Sequence, residues 1–325
     1  MTTGRSTYAG FTATIKLVGT GRRGSRDLDF DEARAAMTAL LAGETSAAQA
    51  GAFLIAMRLK GEAPQELAGF AAALRDAAAP LEADVGARPL VACAGAYDGV
   101  LSTPHLSVAA AVAAAACGAG VVMHCGTTLG PKRGVTQGDV LGALGGCATP
   151  TPQQSAQMLE RAGVTLVHTP AVQPGWERLA AIRDEVGVRG PLHAAERLQD
   201  FFGARRFVVG FTHSPYSDRM LGALGRLGAQ RAVTVRGIEG SDVVRPGRPT
   251  AFAAQGALDL PEQLGDRLPV EGGAQVSGRA TRAVLAGELN GAVEQAVTLS
   301  AGLRLYAAGL VDDPRVGAQR GAVAL

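Results

Sequence analysis

Aromatic side chains are scarce in this chain: they make up 4% of its 325 residues, with a single tryptophan. A surface that grips nucleic acid by stacking bases on rings is hard to build from so few. Any such binding would be directed at the backbone, weakly sequence-specific and sensitive to salt. The four cysteines, Cys93, Cys117, Cys125 and Cys147, form no C-x-x-C pair. That spacing argues against a zinc site and against a secreted disulfide framework. A large charge excess is also missing. The net charge of +2 neither demands nor excludes a nucleic-acid partner, since local clusters matter more than the sum. The N-terminus lacks the uninterrupted apolar stretch of a signal peptide. The longest apolar run, residues 108–117, is mostly alanine and too short to span a bilayer. These absences place the expected protein in the cytoplasm, without a membrane partner.

What is present is enough for a sizeable core. Hydrophobic residues are 47% of the chain, mainly Ala, Val and Leu, and the length suits one large or two ordinary domains. The first third carries helical periodicity. Phe30, Ala33, Met37, Leu40 and Leu41 share one face, and Gly43 ends that helix. Ser46 and Gln49 form a capping box before a second face of Phe53, Leu54 and Met57, stopped by Gly61. Pro64 suits the first turn of a third helix with Leu67, Phe70 and Leu74. The pattern changes near residue 85. Strands are predicted at 89–93, 121–123, 164–167, 207–211 and 232–235. Helices are predicted from 107, at 136–144, 176–185 and 217–227, and at 279–287 and 291–309. Residues 255–275 read as a long loop. Strands alternating with helices imply an α/β fold with a mainly parallel central sheet. The expected division is a small N-terminal helical domain, 1–84, and a larger α/β domain, 85–325.

Ligands of open parallel sheets bind at the carboxyl ends of the strands, and three segments should meet there. Cys93 to Gly99 includes Gly95, Asp98 and Gly99 and reads either as a backbone cradle for phosphate or as a plain turn. His124 leaves a strand toward Thr127 and Thr128, then Lys132 and Arg133, whose cations suit an anion. His124 itself is either structural or catalytic. Glu239 and Asp242 would hold magnesium or serve as ordinary loop carboxylates.

The order of motifs resembles the anthranilate phosphoribosyltransferase family. The resemblance rests on Ala42-Gly43-Glu44, Gly51-Ala52-Phe53-Leu54, Arg58-x-Lys60-Gly61-Glu62, Asp139-Val140-Leu141-x-Ala143-Leu144-Gly145 and Arg183-x-x-x-Gly187-Val188-Arg189. It runs from about residue 15 to the C-terminus. It implies a helical domain joined to an α/β domain and a homodimer formed through the helices. The site motifs depart from the family's. The diphosphate loop G-T-G-G-D-G is replaced by Ala94-Gly95-Ala96-Tyr97-Asp98-Gly99, and N-I-S-T by His105-Leu106-Ser107-Val108. K-H-G-N becomes Met123-His124-Cys125-Gly126, and the metal-binding D-E pair becomes Asp242-Val243. Arg183 matches the arginine that contacts the family's aromatic acid, while Gly190-Pro191-Leu192-His193 departs from R-T-x-F-N. Gly19-x-Gly21, Arg26-Asp27-Leu28, Val122-Met123-His124 and Glu239-Gly240 resemble the family's YbiB-type paralogues, which keep the fold and bind nucleic acid.

The leading expectation is therefore a non-biosynthetic paralogue that binds nucleic acid. Lys16, Arg22, Arg23 and Arg26 would form the basic patch in a flexible leading segment, with Lys132, Arg133, Arg205 and Arg206 adding contacts, or these arginines form a solvated face paired with Asp27, Asp29 and Asp31. The alternative is an active transferase that moves a phosphorylated pentose onto a small aromatic acceptor. His124 would then be a base, Arg183 a carboxylate partner, and Gly95, Asp98, Gly99, Ser107, Lys132 and Arg133 the phosphate-binding set. No cofactor is required by the sequence; magnesium is the candidate if it is a transferase. A scaffold role is a third reading.

Overall fold

A computed structural model describes residues 8–21, 23–262 and 267–324. Four helices open the chain: Phe11–Gly19, Phe30–Ala42, Ala47–Lys60 and Pro64–Ala77. Their ends follow local chemistry. Asp29 and Ser46 close capping boxes with Glu32 and Gln49, Gly43 takes the left-handed conformation that ends its helix, and Pro64 starts the last one. Phe53 sits at the centre, fully buried, with ring centroids 5.3 Å from Phe11 and 6.1 Å from Phe70. Lys16 lies in the first of these helices, which corrects its expected place in a flexible segment.

Among the described residues the sheet has seven strands: β1 Leu90–Ala94, β2 Gly120–Cys125, β3 Val164–His168, β4 Arg206–Phe211, β5 Arg231–Arg236, β6 Ala251–Ala253 and β7 Gly256–Ala257. Their order is β3-β2-β1-β4-β5-β6-β7. The five long strands are parallel, and β6 and β7 add an antiparallel edge. That hairpin lies partly in the stretch expected to be loop; strands of two and three residues are too short to show a period of two. The helices Pro152–Ala162 and Pro314–Val323 were also not expected, and the helix expected at 279–287 spans Ala274–Leu285.

Both sheet faces are buried, and the alternation along each strand separates them. Ala92, Val122, Phe207 and Val209 join the core that continues into the helical bundle. Val91, Cys93, Val121, Met123 and Val208 face the Ala-rich helix Ser107–Ala116 and the helix Ala292–Ala308. The bundle's core also takes in Trp176, Leu179 and Ile182 of the helix Trp176–Val186. The sheet reverses its winding between β1 and β4, and the crevice at their carboxyl ends is where such sheets bind ligands. No helix among the described residues is long and apolar enough to cross a membrane.

Phe53→Ala should cost about 3–5 kcal/mol, because the gap is ringed by side chains that cannot collapse into it. Urea denaturation should show a lower midpoint at an unchanged slope. A loss below about 1 kcal/mol would mean that the ring does not anchor the bundle.

Candidate functional site

The carboxyl ends of β1, β4 and β5 border a cleft of about 600 Å³. Arg58 and Leu59 reach it from the helical bundle. Ala96, Pro131, Thr212, His213 and Glu239 come from loops after the strands. Arg189, His193 and Arg197 come from the segment around the short helix Pro191–Ala195. Phe211, Tyr216 and Met220 supply an apolar wall. The cleft thus sets a band of cations against a largely apolar face.

The loop after β1 does not form an open phosphate cradle. Its Ala96 N–H donates to the Gly240 carbonyl (3.2 Å), Gly99 N–H to the Ala96 carbonyl (2.9 Å) and Val100 N–H to the Val135 carbonyl (2.9 Å). The Tyr97 N–H donates to a Glu196 carboxylate oxygen at 3.3 Å. Gly95 and Gly99 are glycines for packing reasons. A Cβ on Gly95 would lie 2.9 Å from the Ser241 Cα, and one on Gly99 would lie 2.5 Å from the Gly134 backbone at φ +74°. The loop is therefore clamped against the loop after β5, with the N–H groups of Ala96, Tyr97, Gly99 and Val100 already taken.

Tyr97 turns inward instead of filling the cleft. Its hydroxyl lies 2.6 Å from His124 Nδ1 and 3.0 Å from Thr169 Oγ1, with Trp176 edge-on to the ring. His124 is fully buried among Tyr97 and Phe201, and burial pushes its pKa down to about 3. It does not line the cleft, so the expected general base is a core histidine. Arg183 is likewise withdrawn: it pairs with the buried Glu196 carboxylate and donates to His193 Nδ1.

Asp98 is fully buried and accepts from Arg189 at 3.0 and 2.6 Å. Lys132 reaches the edge of the cleft, donating to the Glu239 carbonyl at 2.9 Å, with the Glu239 and Asp98 carboxylates 3.5 and 3.9 Å away. Glu239 accepts from the Leu101 and Ser102 N–H groups at 3.0 and 2.8 Å. Arg133 points elsewhere and pairs with Asp184. Of the two cations in the expected phosphate-binding set, Lys132 lies nearer the cleft, against Glu239, and neither is one of its lining residues.

The residues at the end of β5 do not fit a magnesium ion. Ser107 donates to one Asp242 oxygen and Arg304 pairs with the other at 2.5 Å, and all three side chains are fully buried. The next residue, Val243, is buried in an apolar cluster. Asp242 and Ser107 thus stabilise the loop, and neither is free to bind a ligand. Among the described residues, no group of three or more His, Cys, Asp or Glu side chains could hold a metal.

Among the described residues, Lys16, Arg23 and Arg26 do not come together as one free patch. Arg26 is tied bidentately to Glu32, Lys16 lies 5.5 Å over the Tyr8 ring, and Arg23 is exposed. Arg22 lies outside the described residues. Three polar residues of the cleft had a readable signal: Arg189, His193 and Arg197 recur at helical i, i+4 spacing.

Residues 14–78 match the helical bundle domain of a glycosyl transferase family, and residues 98–325 match its a/b domain. Anthranilate phosphoribosyltransferase of Thermus thermophilus is 34% identical over 288 residues, covering 87% of this chain and 86% of that protein. The same enzyme of Rubrobacter xylanophilus is 32% identical over 290 residues, covering 86% and 83%. The crystal structure of a Thermus thermophilus anthranilate phosphoribosyltransferase superposes with a TM-score of 0.82 at 29% identity, covering 97% of this chain and 94% of that one. A Saccharomyces cerevisiae anthranilate phosphoribosyltransferase in complex with PRPP and Mg shares the fold at 16% identity and a TM-score of 0.75, covering 96% and 93%.

The buried polar groups make the stability of this region testable. Arg304→Ala strands the Asp242 charge and should cost about 3–5 kcal/mol, while the Arg304→Leu, Asp242→Leu double variant should lose less. A double-mutant cycle by chemical denaturation, with Arg304→Leu, Asp242→Leu and both together, checks this; a double loss equal to the sum of the two single losses would mean that the pair is not coupled. Burial also holds His105 down to about 4. The unfolded imidazoles take up protons near pH 6.5, whereas folded His124 and His105 do not until about 3 and 4. Stability is therefore fully present above about pH 6.5 and falls as the pH drops from there toward 4. Each histidine adds about 1.4 kcal/mol per pH unit to that slope. His124→Gln should flatten the slope by one such step between pH 6 and 4.5.

Proposed function

The chain belongs to the anthranilate phosphoribosyltransferase family of glycosyl transferases, and from that premise we propose that it is a pentosyl transferase acting in this cleft on a small aromatic acid. The observation that carries the reading is the pairing of cations with an apolar wall: Arg58, Arg189 and Arg197 line the same cleft as Phe211, Tyr216 and Met220. A planar ring suits the wall, and a carboxylate suits a guanidinium fork. The curated relatives named above carry the activity, and the cleft sits at the switch point of the sheet.

Transfer breaks the bond between the sugar C1 and a leaving diphosphate and forms one from C1 to the acceptor. The chemistry turns on neutralising the departing charge. The Asp242–Val243 position offers no carboxylate pair for a metal, so in this chain that charge falls to side-chain cations beside the cleft, chiefly Lys132 and Arg189. Lys132, with a side chain 16% exposed, is screened less by solvent than Arg189, which is 36% exposed. Asp98 and Glu239 balance these cations and keep the cleft from carrying a large unpaired positive charge.

Calorimetry with phosphoribosyl diphosphate and with anthranilate, each in EDTA, tests the reading. Both should bind without a divalent cation. Arg189→Ala should weaken anthranilate by about tenfold, the effect of losing one charge-assisted hydrogen bond. The same protein titrated with labelled single-stranded DNA separates the competing reading. Salt-steep DNA binding without small-molecule binding would overturn the transferase proposal in favour of the nucleic-acid-binding role.

A further inference from the structure

We propose that His193 is the cleft's neutral hydrogen-bond donor, fixed by Arg183 with its proton on Nε2, and that it recognises an unprotonated carboxylate or phosphoryl oxygen of the ligand and does not act as a base. The proposal rests on the cleft being the ligand site.

Behind the imidazole, Arg183 Nη2 is within hydrogen-bonding range of His193 Nδ1. A guanidinium nitrogen can only donate, so Nδ1 must accept and cannot carry the proton. The neutral ring therefore holds its proton on Nε2. Arg183 cannot rotate away cheaply, because its other nitrogen pairs with the fully buried Glu196. Glu196 lies 3.8 Å from Nδ1, beyond hydrogen-bonding range, so it does not offer an alternative partner for a proton there.

Nε2 faces the other way. The Asp98 oxygen nearest to it lies 3.6 Å away, outside hydrogen-bonding range. The side chain is 9% exposed, and His193 lines the cleft. A donor is thus presented to the cleft with its tautomer already set. Protonating the ring would break the Arg183 bond and add a charge among Arg183, Arg189, Arg197 and Lys132, with Asp98 and Glu196 as the opposing charges. Burial first, and then those four cations, hold its pKa well below the usual histidine range. A neutral donor adds a directed bond to an anionic oxygen without adding repulsion among the neighbouring cations. It also has no free lone pair with which to accept a proton from the ligand.

Two-bond ¹H–¹⁵N spectra of the full-length, histidine-labelled protein test this directly, with the His193 signals assigned by their loss in His193→Gln. Between pH 5 and 8 the ring should keep the Nε2–H tautomer and not titrate. An Nδ1–H pattern, or conversion to imidazolium in that range, would overturn the proposal whatever the ligand. Arg183→Leu should release the ring to a mixed tautomer that titrates; if that variant fails to fold, the wild-type spectrum still decides. Benzoate, a carboxylate without a nucleophile, is the binding probe. Its addition should move the His193 Nε2–H resonance, and His193→Leu should weaken it about tenfold while His193→Gln stays within about threefold. A calorimetrically bound benzoate that leaves His193 unmoved overturns this proposal alone. Benzoate that does not bind at all overturns the cleft reading and, with it, the ligand role of His193.

Discussion

Three buried carboxylates at the carboxyl end of the sheet each have an arginine partner: Asp98 with Arg189, Glu196 with Arg183, and Asp242 with Arg304. The rest of the site is organised by this requirement, because a carboxylate with no exposure cannot stay ionised without a partner. Glu196 reaches the Tyr97 amide, so the loop after β1 is held from below. Asp242 fixes Ser107 at the start of its helix and ties the loop after β5 to the helix Ala292–Ala308. Where a metal cation would otherwise balance these carboxylates, the chain balances them itself with arginines.

The same pairing explains which parts of the sequence were legible. Helix and strand positions follow from periodicity and caps, so the Ser46–Gln49 box, Gly43 and Pro64 could be read directly. The β6–β7 hairpin could not, since two- and three-residue strands carry no period. The helix Pro314–Val323 was missed for a different reason: its buried face includes Gly317 and Gly321, which hydrophobic patterning does not register.

At the site, the sequence identified the right loops and often the wrong atoms. His124 and Arg183 match functional motifs, but the direction of a side chain is a tertiary property. A tyrosine in the loop after β1 draws His124 into an aromatic cluster, and a glutamate thirteen residues along draws Arg183 away from the cleft. Neither partner is apparent from local spacing. Arg304 is the extreme case. It lies mid-helix among apolar residues, and only the folded chain shows that it faces Asp242.

The frame and its chemistry are therefore under separate physical control. Gly95 and Gly99 are required by backbone contacts within hard-sphere range, whatever the cleft binds. Those contacts keep the loops after β1 and β5 together and preserve the crevice. The charges lining the crevice are not constrained in that way; an arginine can replace an external cation wherever a carboxylate lies within reach of a neighbouring helix. Such a replacement trades a dissociable partner for a permanent one. Local charge balance then no longer depends on the concentration of an ion, but the site also loses the flexibility to rearrange around one. A cleft built this way must recognise anions with donors already in place, which is why a tautomer fixed from behind, as at His193, matters more here than a mobile base would.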